Sequence, residues 1–333
     1  MRGDAIGSAM AAQAPPSRAR RTLHVVGAVL VAGVVPLLVV WALVGEFGAA
    51  ALFVGVLLGG MGSKIGGTYR MTVLAVPLGV AGGLGAATAY DWWWVALLAV
   101  VGVIAGAGIG WGWFPALLML PYAATFTTPL DTTRDAVIYG VVVAIGTIYG
   151  VAIARRFGAP PVSDGDHLAR PVAAGVAIVF GVALGAAGAI GVALDWTEPY
   201  WVPEPVLILV LYIIMGKRDR IRGKTIGTLL GAAAAVPVAI IAPSATVMGV
   251  IALVAFIVAL TQAKTYWLMY GLYTFSLVLA LAAPGQVATE AEHRGFEILV
   301  GIGLLVIGLV TVHALGNAQA RRHPQPELAS APS

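Results

Sequence analysis

The chain has 333 residues, of which 60% are hydrophobic and 10% are charged, whereas soluble domains carry about 25% charged residues. A mean hydropathy of +0.94 excludes an ordinary soluble protein and predicts that lipid is the solvent for most of the chain. No cysteine is present, which excludes disulfides and thiolate metal sites.

Long apolar segments follow one another along the chain, and most charges lie between them. Each segment is expected to be a helix, because helices satisfy their own backbone hydrogen bonds in lipid and the alternating pattern of a barrel strand is absent. The pattern predicts an all-α, polytopic membrane protein with about twelve transmembrane helices. The predicted spans are residues 22–44, 48–62, 71–90, 93–110, 112–128, 135–154, 171–194, 200–216, 225–242, 245–261, 265–283 and 295–315. Those at 48–62 and 200–216 are short for a bilayer.

The basic residues predict the orientation. If the N-terminus is cytoplasmic, all of the 19 Lys and Arg residues except Arg134 and Arg294 fall on the cytoplasmic side. The positive-inside rule requires such a bias. We therefore expect a multi-pass protein of the plasma (inner) membrane with both termini in the cytoplasm. In this arrangement no charged residue lies at mid-membrane depth.

The two halves of the chain show a weak tandem repeat. One constant shift places Met61 and Gly62 on Met215 and Gly216, Lys64 on Arg218 and Arg70 on Lys224. Since each half has six spans, both halves enter the membrane from the same side, and the repeats should be parallel. The predicted organisation is a disordered cytoplasmic N-terminus (1–21), a first six-helix repeat (22–155), a cytoplasmic linker (156–170), a second six-helix repeat (171–316) and a disordered cytoplasmic tail (317–333).

One stretch of the second half resembles a known family. Tyr200-Trp201 is followed by an apolar helix, a basic loop and the run Lys224-Thr225-Ile226-Gly227-Thr228-Leu229-Leu230-Gly231. This order resembles the fusaric acid resistance family, which is related to the aromatic acid exporters. Two positions depart from the family pattern, because Lys224 stands where arginine is usual and Glu204-Pro205 replaces leucine-threonine. The resemblance implies a helical membrane exporter of small organic acids.

The residues Gly227, Thr228 and Gly231 have two interpretations. Small residues three to four apart let a neighbouring helix approach closely, and the threonine hydroxyl can hydrogen bond across the contact. A direct contact of Thr228 with substrate is the alternative. We favour the packing interpretation.

A second group of residues consists of candidates for binding an anionic or aromatic substrate. Its basic members could form electropositive mouths at the cytoplasmic side, or they could serve only to set topology and contact anionic lipid headgroups. Tyr270 and Tyr273 lie on one helical stripe and need a partner for their hydroxyl groups, which packing or a polar ligand could supply. The candidates are Lys64, Arg70, Arg218, Arg222, Lys224, Tyr270 and Tyr273.

Glu204 is unusual because it lies between two prolines at the start of an apolar helix. Its charge could complement the positive N-terminal end of that helix. Alternatively it could accept a proton during transport, as carboxylates inside membranes often do. Glu204 is the candidate for proton coupling. Glu297 is expected to be an interfacial or packing residue.

Several function classes are excluded or disfavoured. The chain has no GxxxxGK[ST] phosphate loop, its five histidines lack metal-ligand spacing, and its pI of about 9.4 comes from the loops rather than from a basic domain. We therefore expect no enzyme activity, no cofactor, no metal and no nucleic-acid partner.

The predicted function is secondary, ATP-independent export of small organic anions or aromatic carboxylic acids. The alternatives are an anion channel, an antiporter like those of the major facilitator superfamily, suggested by the basic loop at 216–224, and a scaffold without transport. The expected partners are the lipid bilayer and the substrate. Whether the protein also forms a homo-oligomer or binds an accessory efflux subunit is left open by the sequence.

Overall fold

The computed structural model describes residues 34–156, 170–196, 198–214, 217–241, 244–262, 265–281 and 285–322. The predicted N-terminus at 1–21, residues 157–169 of the predicted linker and residues 323–333 of the predicted tail lie outside these ranges, as do residues 22–33 of the first span. Residues 317–322, predicted as part of a disordered tail, continue the last helix instead. Ala, Gln and Arg in this stretch are strong helix formers.

Helices make up the regular secondary structure of the described residues, which confirms the all-α prediction. Each of the twelve predicted spans overlaps one of them, the first only over its described part. They are α1 (Val35–Val44), α2 (Glu46–Gly66), α3 (Thr68–Thr88), α4 (Trp92–Ala107), α5 (Phe114–Thr125, broken at Leu118), α6 (Thr133–Arg156), α7 (Arg170–Ala193), α8 (Pro203–Ile214), α9 (Arg218–Ile241), α10 (Ala245–Thr261), α11 (Tyr266–Leu281) and α12 (Val287–Arg322). Short 3₁₀ turns at Gly108–Trp111 and Pro199–Trp201 extend α4 and precede α8.

Seven helical segments of the described chain are long and apolar enough to cross a bilayer. They belong to α2, α3, α4, α6, α7, α9 and α12. The others are shorter, so the number of crossings stays a prediction. Helix α2 has 21 residues, longer than the span predicted at 48–62, because polar Ser63 and Lys64 lower the hydropathy of its last turn without ending it.

The chain divides into two compact units, Met1–Ala49 and Ala50–Ser333. The described part of the first unit consists of α1 and the first turn of α2. Between these two helices Gly45 has φ of +94°, a conformation that glycine adopts without strain. The second unit contains the rest of α2 and all of the helices that follow.

Side-chain caps explain where two helices begin. The carboxylate of Asp91 accepts hydrogen bonds from the backbone N–H groups of Trp93 at 2.7 Å and Trp94 at 3.0 Å, and so starts α4. At the start of α6, the hydroxyl of Thr132 accepts from the backbone N–H of Asp135 at 3.1 Å and donates to its carboxylate at 2.7 Å. These caps satisfy donors that have no partner within the helix.

The helices of the second unit pack through glycine. Where α3 meets α6, a Cβ atom on Gly140 would lie 2.6 Å from the carbonyl oxygen of Gly79. Where α4 meets α7, a Cβ on Gly102 would lie 2.8 Å from the Cα of Gly181. Any larger side chain would push these backbones apart, so the glycines set the distance between the helices.

The same kind of contact joins α9 to α11. Gly227 lies against the backbone of Trp267, and Gly231 lies against the backbone of Gly271, with no room for a Cβ in either place. Between them Thr228 accepts a hydrogen bond of 3.5 Å from the hydroxyl of Thr274. The three residues of the glycine-threonine motif thus lie on the face of α9 that contacts α11.

We expect Gly231→Ala to lower the free energy of unfolding by about 1–3 kcal/mol, because the added methyl group would overlap the Gly271 backbone. Gly249→Ala on α10 is the matched control, since nothing lies within 4 Å of its Cβ position. It should be neutral or mildly stabilising. Thermal unfolding of both variants in detergent measures the difference, and equal melting temperatures would contradict the packing interpretation.

Candidate functional site

A buried ion pair joins α8 to α9. The ammonium group of Lys224 donates to both carboxylate oxygens of Glu204, at 2.9 and 3.0 Å. Only 5% of Lys224 and 8% of Glu204 is exposed. Glu204 lies ten residues, or about 15 Å along the axis, from the end of α8 at Ile214. Glu204 is the second residue of α8, and the low exposure of both side chains shows that the pair is buried between the two helices.

Tyrosines surround the lysine end of this pair. The ammonium of Lys224 lies 5.0 Å from the centre of the Tyr270 ring, within range of a cation–π interaction. The hydroxyl groups of Tyr270 and Tyr212 are hydrogen bonded to each other, which satisfies two polar atoms between α11 and α8. A fixed hydrogen-bonded shell of this kind reduces the penalty of removing charges from water.

Arg294 forms a second charged cluster near the start of α12. Its guanidinium lies 2.8 Å from Glu290, 3.2 Å from Glu297 and 3.4 Å from Glu198. The same group lies 3.8 Å from the centre of the Trp201 ring, which provides a cation–π contact. Although only 4% of Arg294 is exposed, one positive charge here faces three carboxylates.

The two charged clusters share one small cavity. Its volume is about 30 Å³, close to the share of liquid volume that one water molecule occupies. Both cations, their buried carboxylate partners, aromatic rings and two threonine hydroxyls form its wall. The lining residues are Trp201, Glu204, Pro205, Lys224, Thr228, Tyr270, Tyr273, Thr274, Leu277, Arg294, Glu297 and Ile298.

An aromatic cluster lies beside Trp201 and links it to the first half of the chain. Tyr200 stacks on Tyr90, with 6.1 Å between ring centres, and Phe126 packs edge-on against Trp201 at 6.0 Å. Glu198 accepts hydrogen bonds from the Tyr200 hydroxyl at 3.0 Å and from the Trp201 indole N–H. Burial, and secondly the Glu198 carboxylate, raise the pKa of Tyr90, so this phenol stays neutral.

Three charged residues lie further inside their helices than the predicted span boundaries placed them. Helix α9 begins at Arg218 rather than at 225, so Lys224 lies in its second turn. Helix α12 begins at Val287 rather than at 295, so Arg294, expected outside, and Glu297, expected to be an interfacial or packing residue, lie two to three turns from its start. Charged residues in these first turns lower the hydropathy, which is why the predicted spans begin later than the helices do.

The predicted binding residues do not form one site. Lys64 and Arg222 are exposed, and Arg70 donates a 2.7 Å hydrogen bond to the carbonyl of Gly112, while the side chain of Arg218 lies outside the described part. Lys224 is buried, so its placement in a basic mouth at the surface is wrong. Of the predicted binding candidates, Lys224, Tyr270 and Tyr273 line the cavity, as do Glu204 and Thr228.

Sequence reasoning missed Arg294, Glu297 and Trp201 as members of this site. One signal was present, since Glu290, Arg294 and Glu297 are spaced by four and three residues and therefore share a helix face. That spacing in an apolar helix indicates an internal ion-pair network.

Comparison with known families bears on the same part of the chain. The family model described as fusaric acid resistance protein-like matches residues 184–308. The predicted resemblance to the fusaric acid resistance family is confirmed. All of the residues that line the cavity lie within the matched segment. No curated protein and no solved structure matches the chain.

The buried pair generates a stability prediction. Glu204→Gln and Lys224→Met should each lower the free energy of unfolding by about 3–5 kcal/mol, because each leaves one buried charge without its partner. The double variant should lose much less free energy of unfolding than the sum of the losses in the two single variants. Arg222→Met, at an exposed position on the same helix, is the control and should change stability by no more than about 0.5 kcal/mol. Additive losses in chemical unfolding would show that the two charges do not interact.

Proposed function

We propose that this protein is a secondary, ATP-independent transporter that exports small organic anions, aromatic carboxylates above all, across the plasma membrane. The cavity among α8, α9, α11 and α12 is the proposed substrate site. The observation that carries the proposal is that two buried cations, Lys224 and Arg294, line one cavity in a chain whose helices suit a membrane. Ionisable residues inside membrane segments most often mark a transport path.

The chemistry of the wall supports an aromatic carboxylate. Lys224 and Arg294 could each bind a carboxylate oxygen, and Arg is suited to bidentate contact. Trp201, Tyr270 and Tyr273 offer ring faces and edges on which an aromatic ring could pack. The hydroxyls of Thr228 and Thr274 supply further polar contacts.

The small volume of the cavity supports a transporter over an open channel. A space for about one water molecule cannot hold an aromatic acid, so the helices have to separate before a substrate enters. Rigid movement of one helical group against another around a fixed site is the usual mechanism of secondary transporters. Two parallel six-helix repeats are the proposed units, and similar pairings support them, since α3 packs on α5 and α6 as α9 packs on α11 and α12.

Transport by the purified protein is the direct test. Proteoliposomes should take up terephthalate faster than adipate, because both are dianions and only the first is aromatic. The expected uptake exceeds that of protein-free liposomes and responds to a proton gradient. A current without any counter-ion would identify an anion channel, and the absence of flux for both acids would remove the proposed function.

Thr228 allows a sharper test of the cavity. Thr228→Val should weaken the apparent affinity for terephthalate about 2- to 10-fold, because one neutral hydrogen bond contributes about 0.5–1.5 kcal/mol. Thr225→Val is the matched control, since the Thr225 hydroxyl bonds the carbonyl of Ile221 in its own helix and does not line the cavity. Equal affinities for both variants would place substrate elsewhere.

The orientation is also part of the proposal, with cytoplasmic termini and a cytoplasmic linker. A cysteine at Ser163 should not react with a membrane-impermeant thiol reagent in intact cells, and should react after permeabilisation. Asp131→Cys, in a loop on the opposite side, is the control and should react in intact cells. The absence of native cysteines makes both labels specific. Reaction of Ser163→Cys in intact cells would reverse the orientation.

A further inference from the structure

The charges around Arg294 do not balance. One guanidinium lies within 3.4 Å of carboxylates from Glu290, Glu297 and Glu198. Lys224 does not relieve this excess, because Glu204 occupies its ammonium with both oxygens. Three ionised carboxylates sharing one buried cation repel one another, and the usual result is that one of them holds a proton.

The exposure of the three side chains indicates which carboxylate holds the proton. The side chains of Glu198 and Glu290 are 32% and 22% exposed, so water can solvate their charges. The side chain of Glu297 is 7% exposed and faces the cavity, where solvation is poorest. Glu297 is therefore the member of the cluster that is least able to stay ionised.

Arg294 itself has an unused donor. Its two terminal nitrogens contact the three carboxylates, but its Nε–H is buried and has no hydrogen-bond acceptor among the described residues. An unsatisfied buried donor is destabilising, and in a native structure it calls for a specific explanation. Since Arg294 lines the cavity, a ligand oxygen arriving there would supply the missing acceptor.

We propose that Glu297 carries the exchanged proton of the transport cycle and that Arg294 receives the substrate carboxylate when Glu297 is protonated. The inference rests on the proposed function. Glu204 balances Lys224, and the more exposed Glu290 and Glu198 balance Arg294, so neither cation needs an ionised Glu297. A substrate monoanion adds one negative charge to this poorly solvated space, and the proton held by Glu297 keeps a further negative charge out of it.

The groups around Glu297 fit this assignment. On its own helix it faces Arg294 and Glu290, and across the cavity it faces Glu204 of α8, Lys224 of α9, and Tyr270 and Tyr273 of α11. Glu198 approaches from the turn before α8. Glu204 is held at both oxygens by Lys224, so it serves as a fixed counter-charge. The proton-coupling role predicted for Glu204 passes to Glu297 in this proposal.

Infrared difference spectroscopy tests the proton directly, without any substrate. The wild-type protein should show the C=O stretch of a buried protonated carboxylic acid that disappears as pH rises. Glu297→Gln should abolish this band. Glu290→Gln is the matched control, since it removes another carboxylate of the same arginine, and the band should remain. A band that survives Glu297→Gln, or is lost in Glu290→Gln, overturns the proposal.

Binding of 4-hydroxybenzoate in detergent tests the coupling. In the wild type, Kd should rise tenfold per pH unit above the point where Glu297 loses its proton, as one-proton linkage requires. Glu297→Gln should bind with no such pH dependence, whereas Glu297→Asp and Glu290→Gln should keep it. A pH dependence that persists in Glu297→Gln contradicts the inference. Wild-type flux without pH-linked binding would overturn this inference alone, whereas an acid band on Glu297 without flux of any anion would remove the proposed function.

Discussion

A charge buried among packed helices has to find an opposite charge, because neither lipid nor apolar side chains can replace the water it has lost. The pairing of Lys224 with Glu204 is the main instance in this protein. It fixes the start of α8 against the second turn of α9 and brings Tyr270 over the ammonium group. Charged and hydroxyl groups form much of the wall of the neighbouring cavity, together with aromatic and apolar side chains. The candidate site and the packing of the second half thus depend on one requirement.

Hydropathy predicted the positions of the helices well, since each of the twelve expected spans overlaps a helix of the described chain. The glycine-threonine motif also indicated a close helix contact, and Gly231 lies against Gly271. The polar site was much less predictable. Lys224 and Arg294 were assigned to the loops outside the spans, because an averaged hydropathy treats every charge as facing water. Averaged hydropathy takes no account of a carboxylate on one helix that pairs with a cation on another.

The two departures from the family pattern are partners in space. Lys224 stands where arginine is usual, Glu204 replaces an uncharged residue, and the two form one ion pair with both carboxylate oxygens engaged. A lysine ammonium is a compact charge with a flexible stem, so it can turn towards a single nearby carboxylate more easily than the planar arginine group can. The second charged cluster, around Arg294, has a guanidinium and several carboxylates. The cavity therefore presents two cations of different geometry.

The glycine contacts also determine how the cavity could open. Gly227 and Gly231 hold α9 against the backbone of α11, and Gly301 holds α12 against Pro205 of α8. Helices in such close contact cannot slide past each other without a clash of backbone atoms. The Glu204–Lys224 ion pair joins α8 of one glycine-packed pair to α9 of the other, beside the cavity. Any separation of these two helix pairs would therefore have to take place around a bond that holds both carboxylate oxygens.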